Sequence, residues 1–123
     1  GGTWNAVGLV KFIFPNEHFV YLHDTPSKNY FNTDLRAFSH GCLRLHKPMD
    51  FADYLLKVDS NSYTVDSVQT HIDNKNSRKM RFKKPLPIYV RYYTCEADSD
   101  GNIYYFRDVY KLDEVIRKRL FKN

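Results

Sequence analysis

The chain opens with two short apolar runs that are separated by a turn. Residues 7–14 carry apolar side chains on both faces of an extended segment, so they predict a strand that is buried on both sides. The Pro-Asn-Glu sequence at 15–17 is a turn signal, and residues 19–23 are expected to return as the antiparallel partner. His23 then lies at the end of a rigid strand.

Three later segments have the period of three to four residues that is typical of an amphipathic helix. The first is predicted from Pro48 to about Lys57, because proline suits the first helical position. The second, over residues 65–74, has a weaker stripe. The third begins at about Leu112, with acidic residues early and basic residues late, which suits the helix dipole. We expect its apolar side chains to face a core: Leu112, Val115, Ile116 and Leu120.

The remaining segments predict strands, a loop and a basic surface. Residues 24–38 lack a clean period and predict a loop with one helical turn. Residues 74–84 are strongly basic and are interpreted as a solvated surface segment, with a substrate-attracting patch as the alternative. Residues 87–95 alternate like a strand, and the Asp-Ser-Asp-Gly-Asn turn at 98–102 leads into a returning strand at 103–107. The whole pattern predicts an α+β fold that is mainly β.

Composition adds expectations about size, charge and redox state. The 123 residues fit one domain, and the 10 Tyr and 9 Phe suit packed β-structure. The net charge of +5 favours anionic partners, but no nucleic-acid-binding motif is present, so we expect no nucleic acid partner. There is no signal peptide and no apolar run near the ~18 residues of a membrane span, so no transmembrane segment is expected in this chain. Cys95 is expected to be a free, buried strand residue.

The candidate chemistry lies in the Ser-His-Gly-Cys-Leu-Arg sequence at 39–44, together with His23 nineteen positions before Cys42. A free thiol is mostly protonated at neutral pH, so a nucleophilic cysteine needs an imidazole or a cation nearby. His23 and His40 are both candidates for that imidazole. Gly41 allows a tight bend, which would leave backbone N–H groups near Cys42 free to face an oxyanion. The segment therefore predicts an activated thiol nucleophile.

Other interpretations of these residues stay open. Arg44 suits a substrate carboxylate or a structural ion pair equally well, and His40 could orient the loop or the substrate instead of moving a proton. A thiol hydrolase, such as a cysteine peptidase, would use the same thiolate and base and pass the acyl group to water. His18, His46 and His71 are expected to be surface residues. A zinc site is a further alternative, although its ligand spacing matches no usual zinc pattern: His23, His40, Cys42 and His46.

Two motifs together resemble the catalytic signature of a known enzyme family. Leu-His-Asp-Thr-Pro at 22–26 and Ala-Phe-Ser-His-Gly-Cys-Leu-Arg-Leu at 37–45 resemble the motifs of the L,D-transpeptidases, the YkuD-like cysteine enzymes that cross-link bacterial peptidoglycan. The likeness extends to residues 10–16, to the helix from Pro48 and to Phe-Arg-Asp-Val-Tyr at 106–110. These segments resemble the large, multidomain, Gram-negative type, which is YcbB-like.

The resemblance implies a fold, a context and a location. The fold would be a β-sandwich with flanking helices, and residues 1–123 would be the C-terminal part of a single catalytic domain. Its motif would lie at 23–44, and its last strands and helix at 86–123. The resemblance also implies that further N-terminal domains or a complementing chain supply the rest of the sheet. The protein would act in the periplasm or cell envelope and would need no metal or organic cofactor.

The resemblance also implies a two-step acyl transfer on peptidoglycan stem peptides. The Cys42 thiolate, with His23 as base, would attack the L-centre carbonyl of a stem tetrapeptide, release D-alanine and leave a thioester. An amine of a neighbouring stem would then take the acyl group, which makes a 3-3 cross-link. The oxyanion and substrate pocket would be formed by Ser39, His40, Gly41, Arg44 and Asp24.

Overall fold

The computed structural model describes residues 5–60 and 62–121. The first regular structure along the chain is an antiparallel hairpin. Strand β1, Lys11–Ile13, pairs with strand β2, Tyr21–His23, with Lys11 opposite His23. The Asn16 side chain closes the turn: its amide nitrogen donates to the Phe14 and Val20 carbonyls at 3.0 and 2.7 Å, and its oxygen accepts from the Val20 N–H at 3.0 Å. The predicted hairpin is confirmed.

The prediction that the first strand is buried on both faces is wrong. Phe12 packs edge-on against Phe51 with 5.0 Å between ring centroids, but Lys11 and Ile13 on the other face are exposed. The strand packs on helix residue Phe51 with one face, and the side chains of its other face are exposed. The apolar pattern therefore predicts the strand correctly, but it predicts more burial of the strand than the structure shows.

A two-residue strand, β3 at Leu43–Arg44, completes this sheet and was not predicted. It runs parallel to β2, so the strand order is β1-β2-β3 and β2 is central. The Leu45 N–H donates to the His23 carbonyl at 2.8 Å, which continues the pairing by one residue. The connection from β2 to β3 contains a 3₁₀ helix at Lys28–Asn32, which confirms the helical turn predicted for residues 24–38.

Two helices follow the sheet, as predicted. Helix α1, Pro48–Asp59, has proline in its first turn and ends at Ser60, whose φ of +52° is left-handed. Its buried apolar side chains are Ala52 and Leu56. Helix α2, Val65–Asp73, begins with a capping box in which Thr64 and Ser67 satisfy each other's backbone N–H groups.

The chain divides into two compact units, Gly1–Leu86 and Pro87–Asn123, here called the N-terminal and C-terminal units. The C-terminal unit contains strand β4, Cys95–Ala97, paired antiparallel with strand β5, Ile103–Tyr105. Asp98 closes their turn by accepting from the N–H groups of Asp100 and Asn102 at 3.0 and 2.9 Å. The predicted hairpin is confirmed.

The strand predicted over residues 87–95 is wrong, because regular pairing begins only at Cys95. A strand needs a neighbour for its backbone groups, and β5 is long enough to pair with three residues only. Within residues 87–121, no other strand lies beside the segment before Cys95. Cys95 itself is a free strand residue as expected, but it is exposed, so the prediction that it is buried is wrong.

Helix α3, Leu112–Leu120, confirms the last predicted helix, and Glu114 pairs with Lys118 on its surface at 2.8 Å. The prediction that its apolar stripe faces a core is wrong, since Leu112 and Leu120 are exposed like the rest of the helix. In the described part of the C-terminal unit, residues 87–121, no side chain is buried. The helix forms from its sequence pattern without a covered face.

The α+β class is confirmed, but the structure is not mainly β. In the part of the chain that the structure describes, the helices of 12, 9 and 9 residues contain more residues than the five strands of two or three residues each. The β-sandwich, and the assignment of the whole chain to one domain, remain predictions. Across residues 5–60 and 62–121, none of the helices has the length and apolar character needed to cross a bilayer.

Candidate active site

The parallel pairing of β2 with β3 brings the segments that carry the predicted histidine and cysteine side by side in the sheet. His23 is the last residue of β2, and Cys42 directly precedes β3. Because Leu22 lies opposite Leu43 in the register, the turn that contains Cys42 runs alongside β2. Although Cys42 follows His23 by nineteen positions in the sequence, the register brings it beside Tyr21, two positions before His23 in β2.

The His23 ring is buried and held in one orientation. Its Nδ1 lies 2.5 Å from the Asp24 carbonyl oxygen, and a carbonyl can only accept, so Nδ1 carries the proton. In the neutral ring the other nitrogen, Nε2, then carries the lone pair. Tyr21 contacts the ring edge-on at 5.6 Å between centroids. A fixed tautomer with a free Nε2 is what a general base requires.

Asp24 contributes to the site through its backbone, while its carboxylate bonds elsewhere. Oδ2 accepts from the Leu9 N–H at 2.9 Å, and Oδ1 accepts from Lys28 Nζ at 2.7 Å. Burial acts to raise the pKa of Asp24, but the hydrogen bonds from Lys28, Leu9 and Thr25 outweigh burial and hold that pKa below its ordinary value. The Asp24 carboxylate is therefore an ionised structural anchor behind His23.

Gly8 is a supporting residue that the sequence analysis missed. Its φ is +68°, and a Cβ placed there would lie 2.4 Å from Asp24 Oδ2. Both the backbone angle and the approach of the carboxylate therefore call for glycine. The signal in the sequence, a glycine inside a predicted strand, is one that often marks such a close approach.

The turn before the cysteine is closed by Ser39. Its Oγ donates to the Cys42 carbonyl at 2.7 Å and accepts from the Gly41 N–H at 3.1 Å. Gly41 has a φ of +134°, which confirms that the bend needs glycine. The expectation that the surrounding N–H groups are all free is wrong for Gly41, whose N–H is used by Ser39. The Cys42 N–H has no acceptor in residues 5–60 and 62–121.

An open cavity of about 280 Å³ joins the candidate residues. One part of its wall is polar and contains His23, Ser39, His40, Cys42 and Arg44, and another part is apolar. His18 and the residues of the apolar wall were not predicted for the site; His18 is exposed, as expected, but it also faces this cavity. The apolar wall consists of Ala6, Val7, Phe19, Val20 and Phe38.

Arg44 lines the cavity as a cation that has no carboxylate partner among residues 5–60 and 62–121. Its guanidinium lies over the Tyr30 ring, 5.7 Å from the centroid, and Tyr30 in turn stacks on Phe38 at 4.5 Å. Its buried Nε has no hydrogen-bond partner within the described residues, and none of their carboxylates forms an ion pair with it. The geometry favours the substrate-contact interpretation of Arg44 over the structural ion pair.

The described residues do not assemble the alternative zinc site. They contain no group of three or more His, Cys, Asp or Glu side chains arranged to hold a metal ion. His46, one of the four candidate ligands, is exposed and contacts Phe31 at 4.8 Å between rings. His71 is half-buried in α2.

A partly buried thiol and an oriented imidazole at one cavity define the class of sites built on a cysteine–histidine pair. Residues 1–72 match the family model of the YkuD L,D-transpeptidase catalytic domain, so the chain belongs to that family. It is also 33% identical over 112 residues to a Haemophilus influenzae protein that carries the name of a candidate L,D-transpeptidase. That alignment covers 91% of this chain but 22% of the relative, so the chain spans about a fifth of the relative's length.

Proposed function

We propose that this chain carries the reaction centre of a peptidoglycan L,D-transpeptidase, with Cys42 as nucleophile and His23 as base. The observation that carries the proposal is the Nδ1 contact of His23 with the Asp24 carbonyl at 2.5 Å, beside a cavity that His23 and Cys42 both line. This contact leaves Nε2 to accept a proton. Membership of the family supports the same chemistry.

In the first step, Cys42 attacks the L-centre carbonyl of a stem tetrapeptide. The thiol proton passes to His23 Nε2, a bond forms between the sulfur and the carbonyl carbon, and the bond from that carbon to the D-alanine nitrogen breaks. His23 gives the proton to the departing amine. The Cys42 N–H, which has no acceptor within the described residues, is available for the oxyanion.

In the second step, an amine of a neighbouring stem attacks the thioester. Its nitrogen bonds to the carbonyl carbon, the carbon–sulfur bond breaks, and a proton moves from the amine to the sulfur through His23. The product is a 3-3 cross-link. Arg44, which has no carboxylate partner among the described residues, would bind a stem carboxylate. This reaction would take place in the periplasm or cell envelope.

Ser39, His40 and Gly41 have supporting roles in this proposal. Ser39 and Gly41 hold the turn that presents the thiol. His40 lines the cavity with Cys42, and we assign it to substrate positioning, because the buried and oriented ring is that of His23. Asp24 orients His23 by its carbonyl.

The test is covalent labelling of Cys42 by an acyl donor, with Cys95 as an internal control. Cys42 is partly buried and Cys95 is exposed, so simple access to solvent favours reaction at Cys95. We expect a carbapenem to acylate Cys42 alone, as measured by intact-protein mass spectrometry and peptide mapping. The adduct should disappear in Cys42→Ala and persist in Cys95→Ser. Equal labelling of both thiols, or labelling of Cys95 only, would contradict an activated Cys42.

Two histidine variants assign the base. Removal of a general base typically lowers a rate by about 10²- to 10⁴-fold, so His23→Ala should slow acylation of Cys42 by at least about 100-fold. His40→Ala should slow it less. The reverse ranking would exchange the roles of the two imidazoles. Incubation of the acyl-enzyme with a stem-peptide amine then separates transfer from hydrolysis, because a hydrolase would release the free acid even when the amine is in excess.

A further inference from the structure

A single ammonium group ties together the two backbone segments that carry the thiol and the imidazole. Lys28, in the 3₁₀ helix, directs Nζ to Asp24 Oδ1 at 2.7 Å, to the Leu45 carbonyl at 3.0 Å and to the His46 carbonyl at 2.7 Å. An ammonium has three N–H donors, so every one of them is used. We propose that Lys28 is a positioning residue that sets the placement of His23 relative to Cys42.

On the histidine side, Lys28 acts through Asp24. The Asp24 side chain is 11% exposed and is held between Lys28 Nζ and the Leu9 N–H. The backbone carbonyl of the same residue accepts from His23 Nδ1. With the carboxylate fixed at two points, the carbonyl has little freedom to turn, so the orientation of the imidazole depends on the Lys28 contact.

On the cysteine side, Lys28 acts through the segment that follows β3. Leu45 comes three residues after Cys42, and its N–H already bonds the His23 carbonyl at 2.8 Å. Lys28 binds the carbonyl of the same residue and that of the next one. The ammonium therefore bridges the end of β2 to the end of β3, the two strands on whose pairing the cavity depends.

The loss of this ammonium leaves a mostly buried carboxylate and two carbonyls without their cation. A buried charge that loses its partner is costly, so the segment should relax to bring Asp24 toward water. A displacement of about 1 Å at reacting groups can lower a rate by about 100-fold. The effect should fall on the chemical step and leave substrate affinity nearly unchanged, because Lys28 does not line the cavity within the described residues.

The variant that tests the inference is Lys28→Met, and α1 offers a matched control. Lys57 pairs with Asp53 at 2.6 Å at the same sequence spacing of four, and this pair lies outside the cavity. We expect Lys28→Met to lower kcat and the rate of Cys42 alkylation by iodoacetamide by about 10- to 100-fold, with KM nearly unchanged. Lys57→Met should change none of these. Lys28→Arg should recover part of the rate, since it keeps the charge beside Asp24.

A spectroscopic readout separates positioning from loss of fold. The Nδ1 proton of His23 should give a protected NMR resonance in the wild type, and in folded Lys28→Met it should shift or exchange with water faster. If Lys28→Met does not fold, Asp24→Asn removes the same ion pair from its other side and should give the same changes. A folded variant of either kind with wild-type alkylation and an unchanged His23 resonance would overturn the inference.

The inference rests on the proposed function for its kinetic readout only. If the wild-type chain transfers no acyl group but the His23 resonance still responds to Lys28→Met, the proposed reaction fails and the positioning contact stands. If acyl transfer and acylation of Cys42 occur at the same rates in the wild type and in Lys28→Met, the proposed reaction stands and the role of Lys28 fails.

Discussion

The two units of the chain differ in how many of their side chains are buried and in which ones. In the N-terminal unit the buried side chains include His23, Asp24, Thr25 and Asp59 beside two apolar residues of α1. The described residues of the C-terminal unit bury none, and its parts are joined by hydrogen bonds such as Tyr92 to Asp108 at 2.6 Å and Thr94 to Asp113 at 2.8 Å. Turn and helix signals alone give the C-terminal unit its elements, whereas the candidate site is found where polar groups are covered.

Buried carboxylates need partners, and those of Asp24 and Asp59 in the N-terminal unit have them. Asp24 is satisfied by Leu9 and Lys28, and Asp59 Oδ1 accepts from the Lys84 N–H at 2.6 Å. Each of these bonds joins segments that are distant in sequence or on opposite sides of a turn. The bonds that satisfy the Asp24 carboxylate therefore also fix the backbone next to His23.

The largest expected difference between the units is in how much a Leu→Ala substitution lowers the free energy of unfolding. Leu56 in α1 is 4% exposed, so Leu56→Ala should lower the free energy of unfolding by about 2–5 kcal/mol. Leu120 in α3 is 70% exposed, so Leu120→Ala should change it by less than about 0.5 kcal/mol. Urea denaturation monitored by circular dichroism measures both. A cost for Leu120→Ala as large as that for Leu56→Ala would mean that α3 has a covered face in solution.

Sequence reasoning found the local elements of both units because their signals are local. Proline at the start of α1, the turn residues of the two hairpins and the charge order of α3 each act within a few residues. Burial was predicted less well, since it depends on what packs against a face. The stripe of α3 and the second face of β1 are apolar, yet they are exposed.

The site was predictable where a motif specifies it and not where distant segments meet. His23, Cys42 and the bend at Gly41 follow from residue type and spacing, and the cavity contains both side chains. Lys28 and Gly8 were missed because their roles arise from contacts with Asp24 and with the segment after β3. A lysine in a loop carries no signal that three acceptors surround it. β3, which makes the parallel pairing, is too short to show a period.

Acid should affect the N-terminal unit through Asp24. Burial opposes ionisation of Asp24, but Lys28 and the Leu9 N–H lower its pKa below the ordinary 3.8. A carboxylate with a lowered folded-state pKa contributes stability above its unfolded pKa and loses it as pH falls through the folded pKa. The unfolding temperature of the wild type should therefore fall below about pH 4, and Asp24→Asn should remove part of that pH dependence.

The control for this pH effect lies in the C-terminal unit. The pKa of Asp98 is also lowered, chiefly by hydrogen bonds from Asn102, but Asp98 is exposed at a hairpin turn. Solvent screens exposed charges, so Asp98→Asn should alter the acid dependence less than Asp24→Asn. If the two variants change the acid dependence equally, the burial of Asp24 does not increase the contribution of its ion pair and hydrogen bonds to stability.

The smallest expected effect compares one strained residue from each unit. Phe19 and Lys111 both have a φ of +55°, a conformation that glycine adopts freely and other residues adopt at a cost. Phe19 is 90% exposed, so Phe19→Gly loses little packing, and Lys111 is also exposed. Relief of strain is offset by the greater freedom of glycine in the unfolded chain, so each substitution should change the free energy of unfolding by less than about 1 kcal/mol.

The two glycine variants should differ in activity. Phe19 lines the cavity with Cys42, and the Asn16 contacts at the hairpin turn hold the backbone on either side of it. Phe19→Gly should therefore raise KM for a donor peptide with little change in kcat, whereas Lys111→Gly should change neither. Steady-state kinetics with a synthetic tetrapeptide measures both constants. An unchanged KM in Phe19→Gly would restrict substrate contact to the polar wall, because the exposed ring would then contribute nothing to binding.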